Sequence, residues 1–244
     1  MTQLSHAQAR IDLTAAFRWA AREDMHEGVA NHFSCAVNDD GSEFLINPKR
    51  IFSRMKASDL WVINANDPKT AQGADAPDPT AWGLHASLHR HVPHARCAMH
   101  VHSIYATVLA SLQDSRLPAI DQNSAIFYNR QVIDESYGGL ALEEEGIRCA
   151  QLFQDPSIRT MIMGNHGVLI IGETVAETFT RLYYFERAAR NYILALQTGR
   201  PLRELSHEVA EKTAQELEGC PEADAAFLDE IKAILDVQEP DYLN

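Results

Sequence analysis

The chain has 244 residues, 45% hydrophobic and 23% charged, with 21 Lys+Arg against 34 Asp+Glu for a formal charge of -13. That size and balance suit a single domain over residues 1–244 with a substantial core, and they exclude a disordered, collagen-like or coiled-coil chain. So acidic a chain, with no long basic run, is a poor partner for nucleic acid or an anionic membrane, and an anionic substrate would need a local metal ion or cationic cluster to overcome the global field.

The opening MTQLSHAQARID lacks the apolar centre of a signal peptide, and no stretch approaches the roughly 20 apolar residues of a membrane span. The cysteines at 35, 97, 149 and 220 show no CxxC spacing and read as reduced, mostly buried thiols of a cytoplasmic protein. A first helix is expected from Ser5, with Gln8 at capping-box spacing, an apolar stripe through Ile11, Ala15 and Trp19, and Gly28 as its stop. Strands are expected at Phe33–Val37 and Glu43–Ile46 around an Asp39-Asp40-Gly41 turn, and at Leu60–Asn64. The span 66–79, with three prolines, reads as a surface loop, and Thr80 to about His91 as a helix. Arg96–His102 alternates: Cys97, Met99 and Val101 face one side, Ala98, His100 and His102 the other. Helices follow from about Ile104 and over Ala141–Phe153, then strands at Thr160–Met163 and Val168–Ile171. Thr174 with Glu177 opens the longest helix, whose apolar face runs through Val175, Phe179, Leu182, Phe185 or Glu186, Ala189, Ile193 and Leu196 to a stop at Gly199 and Pro201. The tail from Ser206 is charged and helical. This order lacks a strict βαβ rhythm and predicts a mixed or antiparallel sheet covered by helices.

Of eleven histidines, His100 and His102 are the informative pair. Spacing i, i+2 on a strand puts both rings on one face, roughly 6–7 Å apart. One metal ion at about 2.0–2.1 Å from each nitrogen is within their reach. His166 joins as third candidate, in the glycine-flanked turn Gly164-Asn165-His166-Gly167. The bland alternative is a pair of polar or satisfied strand histidines. His85 and His89, at i, i+4 on a helix, offer a weaker metal pair, since each could instead bond a carbonyl.

Seven ordered segments carry a resemblance: Asn31-His32-Phe33-Ser34, Leu45-Ile46-Asn47-Pro48, Ala57-Ser58-Asp59-Leu60, the Leu84-His85 helix, His100-Val101-His102, Leu117-Pro118-Ala119-Ile120, and Gly164-Asn165-His166-Gly167 with the helix after it. Over about residues 7–205 the chain resembles the class II aldolase/adducin family. The resemblance implies a three-layer α/β/α fold with a mostly antiparallel central sheet, and a homotetramer with active sites between adjacent subunits. It also implies one divalent metal ion per subunit on His100, His102 and His166, zinc foremost, with manganese or iron as alternatives.

Three departures limit what carries over. Where the sugar-phosphate aldolases read Ser-Ser-Glu this chain has Pro79-Thr80-Ala81, so the acid/base glutamate is gone. The phosphate loop becomes Asn47-Pro48-Lys49-Arg50, and a Gly-Asn pair becomes Asn31-His32. Asn31, His32, Asn47, Lys49 and Arg50 are therefore the substrate-binding candidates, Lys49 and Arg50 being either an anion clamp or solvated surface charges. The proton donor that a neighbouring subunit supplies falls at Asp121 or Tyr128, each of which reads equally as a turn cap or an interface residue. The resemblance implies a lyase, an aldolase or decarboxylase acting on a small oxygenated, anionic substrate through a metal-stabilised enolate. The alternatives are an adducin-like binding module without catalysis, or a sugar epimerase or isomerase. Residues 206–244 lie outside the resemblance, and Tyr242 reads as part of a frayed tail or as a residue closing over a neighbour's site.

Overall fold

Seven strands form one sheet in the computed structural model, which describes residues 5–139, 143–218 and 220–244. In chain order the elements are α1 (Ala7–Arg22), β1 (His32–Ala36), β2 (Glu43–Ile46), β3 (Trp61–Asn64), α2 (Pro79–His91), β4 (Cys97–Val101), α3 (Ile104–Ala110), α4 (Gln122–Ala125), β5 (Gln131–Asp134), α5 (Glu143–Leu152), β6 (Thr160–Met163), β7 (Gly167–Gly172), α6 (Val175–Gln197), α7 (His207–Glu218) and α8 (Pro221–Gln238). The sheet runs β3-β2-β1-β4-β7-β6-β5, antiparallel throughout except for the parallel pair β5–β6. The mostly antiparallel sheet inferred above is therefore what forms.

The alternation in β4 decides the layers. Cys97, Met99 and Val101 join Phe33, Phe17, Phe179 and Phe185 in the core beneath α1, α6 and α8. Ala98 faces the opposite layer, with Leu88, Cys149 and Phe153 of the α2–α5 side. Two helical layers thus sandwich the sheet, each burying one face of it.

α1 departs at both ends from the expected boundaries. Its N-cap is His6, in the left-handed region at φ 60°, and makes no side-chain cap. The Ser5 carbonyl accepts instead from Arg10 Nε (2.8 Å), and Gln8 turns to Asp12 (2.9 Å). The helix stops at Arg22, six residues before Gly28, in a Schellman arrangement: Asp24 takes the left-handed position (φ 55°), and Met25 N–H donates to Ala20 O at 2.9 Å. In the expected helix over Ala141–Phe153, residues 141 and 142 lie outside the described part, and α5 begins at Glu143.

On α6 the apolar face contains Phe185, while Glu186 does something the periodicity did not show. Its carboxylate accepts from Ser103 Oγ (2.6 Å), Tyr105 N (2.9 Å) and Ala106 N (3.0 Å), so it caps α3 from outside. That cap pins the turn immediately after His102. The tail is not frayed: α8 packs on α1 and α6, Tyr242 is 1% exposed, and Arg18 clamps Glu239 and Asp241 at 3.0 Å each.

Candidate metal centre

The antiparallel register sets His32 of β1 opposite His100 of β4, and His100 opposite Leu169 of β7. His102 follows one residue beyond β4 on the same face. Between β6 and β7, Asn165 adopts φ 58°, and the tight turn delivers His166 to the same place. Gly167 is needed there for space: a Cβ would lie 2.4 Å from Val101 O and 3.1 Å from His102 Cδ2. His100, His102 and His166 each offer one nitrogen, all within 4.8 Å of one another.

The hydrogen bonds settle how two of these rings are protonated. His100 Nδ1–H donates to Val168 O at 3.0 Å, and His102 Nδ1–H donates to Glu27 Oε2 at 2.7 Å. In the neutral form of each ring this leaves the lone pair on Nε2, and the two Nε2 atoms face each other across 2.9 Å. His166 Nδ1 is buried without a partner among the described residues. Burial, then the rings of His32, His102 and His166, hold His100 well below the ordinary imidazole range. Burial, then His102, pushes His166 down to about 4. Three imidazoles with converging nitrogens, two of them braced behind by a carbonyl and a carboxylate, are a donor set that fits a divalent metal ion.

These rings form one end of a cavity of about 220 Å³, lined also by His32, Asp78, Thr80, Leu84, Tyr137, Glu145 and Met163. Ala81 is not among its walls. It is 1% exposed and packs with Phe44, Ile46 and Trp82. Glu145 comes in from α5 instead. Its side chain is 10% exposed, 3.4 Å from Arg148, and its Oε1 has no hydrogen bond among the described residues. Burial, opposed by Arg148, raises its carboxyl above the usual range.

Of the substrate-binding candidates, His32 alone lines the cavity. Asn31 and Asn47 brace the wall behind it: Asn31 Oδ1 accepts from Glu27 N (2.6 Å), and Asn47 Oδ1 from Phe33 N (3.0 Å). Lys49 pairs with Asp78 at 2.8 Å, and Arg50 pairs with Asp59. Asp121 caps α4 through Ser124 N (2.7 Å) and holds Asn191 (2.8 Å), while Tyr128 Oη meets His207 Nδ1 at 3.0 Å. His85 and His89 stay out of the three-histidine cluster and bond within the layer under α2. Sequence reasoning missed Glu145, which sits in an acidic run that reads as a solvated helix start, and Glu27, an exposed loop residue whose only sign is its contact with His102.

Acid should unfold the metal-free protein readily. Burial holds His85 well below its ordinary value and His89 at about 4. Below about 6.5 the unfolded chain takes up protons that the folded one refuses, so stability is highest above that pH and is lost between about 6.5 and about 4. Each such histidine contributes up to about 1.4 kcal/mol per pH unit in that window. The urea midpoint at pH 5 should be clearly below that at pH 7; equal midpoints would contradict the buried neutral rings.

Residues 11–193 match the family described as Class II Aldolase and Adducin N-terminal domain. The meiotically up-regulated gene 14 protein of Schizosaccharomyces pombe is 30% identical over 184 residues, 75% of this chain and 70% of that protein. The decarboxylase NovR of Streptomyces niveus is 24% identical over 193 residues, 78% of this chain and 70% of its own. Among solved structures, an aldolase II superfamily protein from Pseudomonas syringae superposes with a TM-score of 0.86 at 24% identity, covering 100% of this chain and 98% of that one.

Proposed function

The chain belongs to the class II aldolase and adducin family, and from that premise we propose that it is a divalent-metal-dependent carbon–carbon lyase. It acts, as aldolase or decarboxylase, on a small oxygenated, anionic substrate. One ion per subunit, zinc by preference with manganese or iron as substitutes, is held by His100, His102 and His166. The observation that carries this reading is the convergence of their nitrogens at one end of a cavity. When bound, such a cation supplies Lewis-acid stabilisation for negative charge developing on substrate oxygens.

The chain's own residues do the rest. Val168 O and Glu27 hold the His100 and His102 rings in the ligating orientation. Leu84 and Met163 form apolar wall that displaces water from the reacting carbons. Glu145 is buried, its Oε1 has no hydrogen bond among the described residues, and burial, opposed by Arg148, raises its carboxyl above the ordinary range. It is the residue of this subunit placed to return a proton to the substrate once the carbon–carbon bond has broken, the part for which Ala81 has no proton. The substrate sits between adjacent subunits of a homotetramer, against a wall formed by His32 and braced by Asn31 and Asn47; Lys49 and Arg50 lend it positive charge, and Asp121 or Tyr128 of a neighbour completes proton transfer. A relative named as a decarboxylase supports carbon dioxide release, and the aldolases of the family support aldehyde release.

The test is metal content per chain on untagged protein, followed by a panel of hydroxy-carboxylates and hydroxy-ketones scored for carbon dioxide and aldehyde. About one ion per chain with release of either product supports the reading. A folded protein that takes up no metal from excess zinc overturns it and favours an adducin-like binding role, with which Ala81 is compatible.

A further inference from the structure

We infer that His32 recognises a hydroxyl group of the substrate through a bare Nε2, and that Ser34, His85 and His89 are positioning residues that lock it in that state. This rests on the cavity being a substrate site. The lock follows from donor and acceptor accounting along one buried chain of contacts. His89 Nδ1 lies 2.8 Å from Ala95 O. A carbonyl has no hydrogen to give, so His89 donates there and its Nε2 is bare. Ser34 Oγ lies 2.8 Å from that Nε2 and must donate its one hydrogen to it. Ser34 Oγ is then an acceptor toward His85 Nδ1, which carries a hydrogen. His85 Nε2 is consequently bare, and it accepts from His32 Nδ1–H at 2.7 Å. The chain cannot run the other way.

Every member is enclosed: Ser34 and His85 are 0% exposed, His89 5% and His32 6%. Water therefore has little access to rearrange the hydrogens, and burial keeps the His85 and His89 rings that hold His32 neutral. His32 is the member that lines the cavity. With Nδ1 committed to His85, its other nitrogen is the one left for a ligand. It stands beside the metal-holding cluster, its ring centroid 4.9 Å from that of His100. A lone pair there welcomes an O–H and repels a carboxylate oxygen, which has no hydrogen to offer. The substrate group at His32 is thus a hydroxyl, and any carboxylate lies elsewhere in the cavity.

Long-range 1H–15N correlation spectra of zinc-loaded protein carrying 15N-histidine test this directly. Expected are hydrogens on Nδ1 and bare Nε2 atoms for His32, His85 and His89. Glycolate should shift the His32 Nε2 resonance. Methoxyacetate, which keeps the oxygen and loses its hydrogen, should leave it unmoved and bind about tenfold more weakly, the worth of one hydrogen bond. In Ser34→Ala, His89 should keep its hydrogen on Nδ1, anchored on Ala95, while His32 and His85 lose their single state. The melting temperature reports separately on folding. A hydrogen on His32 Nε2, equal responses to the two acids, or a His32 state unchanged in a folded Ser34→Ala would each overturn the inference. None of these readouts needs turnover. Lyase activity with a hydrogen on His32 Nε2 would sink this inference alone, whereas the expected spectra in a protein that cleaves nothing would sink the lyase reading alone.

Discussion

His100→Ala should yield a folded protein that no longer holds metal. The ring is 2% exposed and its orientation is set by Val168 O, so it contributes a pre-aimed nitrogen that a mobile side chain or water cannot replace. Structural zinc is bound by four ligands with roughly 10–16 kcal/mol. One ligand of three should therefore be worth at least about 3 kcal/mol, more than a hundredfold in affinity. At a metal concentration a hundred times the dissociation constant, the wild type should also gain about 2.7 kcal/mol of stability from the ion. The variant should gain almost none. Metal per chain, and the zinc-induced rise in melting temperature, read these out. A His100→Ala protein that keeps one ion per chain would show that the cluster is not the metal site. Lyase turnover should fall to background with the metal.

The second large effect lies in the helical layer over the cavity. In Gly146→Ala the new methyl would fall 2.1 Å from Gly83 O and 2.7 Å from Ser87 Oγ. Real carbon atoms do not approach a carbonyl so closely, so α2 and α5 must part. Overpacking of a well-filled site commonly costs 1–3 kcal/mol. A backbone-on-backbone clash, with no side chain free to yield, should reach about 3 kcal/mol or more, and it should swing Glu145 out of the cavity wall. Gly138→Ala is the control, since a Cβ there meets nothing within 4 Å. Urea midpoints compare the two. A Gly146→Ala midpoint no lower than that of Gly138→Ala would mean the helices are less tightly apposed than they stand here.

Much of the sheet was legible because period-two alternation is dictated by burial on two unlike faces. β4 sorted its residues between two cores as expected, and the same parity put His100 and His102 together. His166 was legible because glycines flank it, and Gly167 is needed where β7 comes so close to β4 that a Cβ would lie 2.4 Å from Val101 O. Less visible was β5. Its four residues pair only with β6, in parallel, at the edge of the sheet, and no turn chemistry of a hairpin marks it. The ends of α1 were misjudged because the deciding bonds come from Arg10 and Asp24, residues with no cap signature of their own kind. Glu186 hid inside an apolar stripe, since a carboxylate that caps another helix shares its spacing. The chain from His32 to Ala95 was invisible for a deeper reason: its members sit at 32, 34, 85, 89 and 95, and only the packing of α2 on β1 makes them neighbours.

Both ends of the histidine chemistry are tied to main-chain oxygens, those of Ala95 and Val168. Every residue type carries such an oxygen. Saturation mutagenesis would thus score positions 95 and 168 as tolerant toward any side chain that packs, although both anchor the site. Inserting or deleting one residue in β7 would be another matter. The carbonyl presented to His100 would then turn toward the other neighbouring strand, and no choice of side chain could restore it. The selective pressure on these anchors falls on spacing, and a comparison that weighs only residue identity would pass over them.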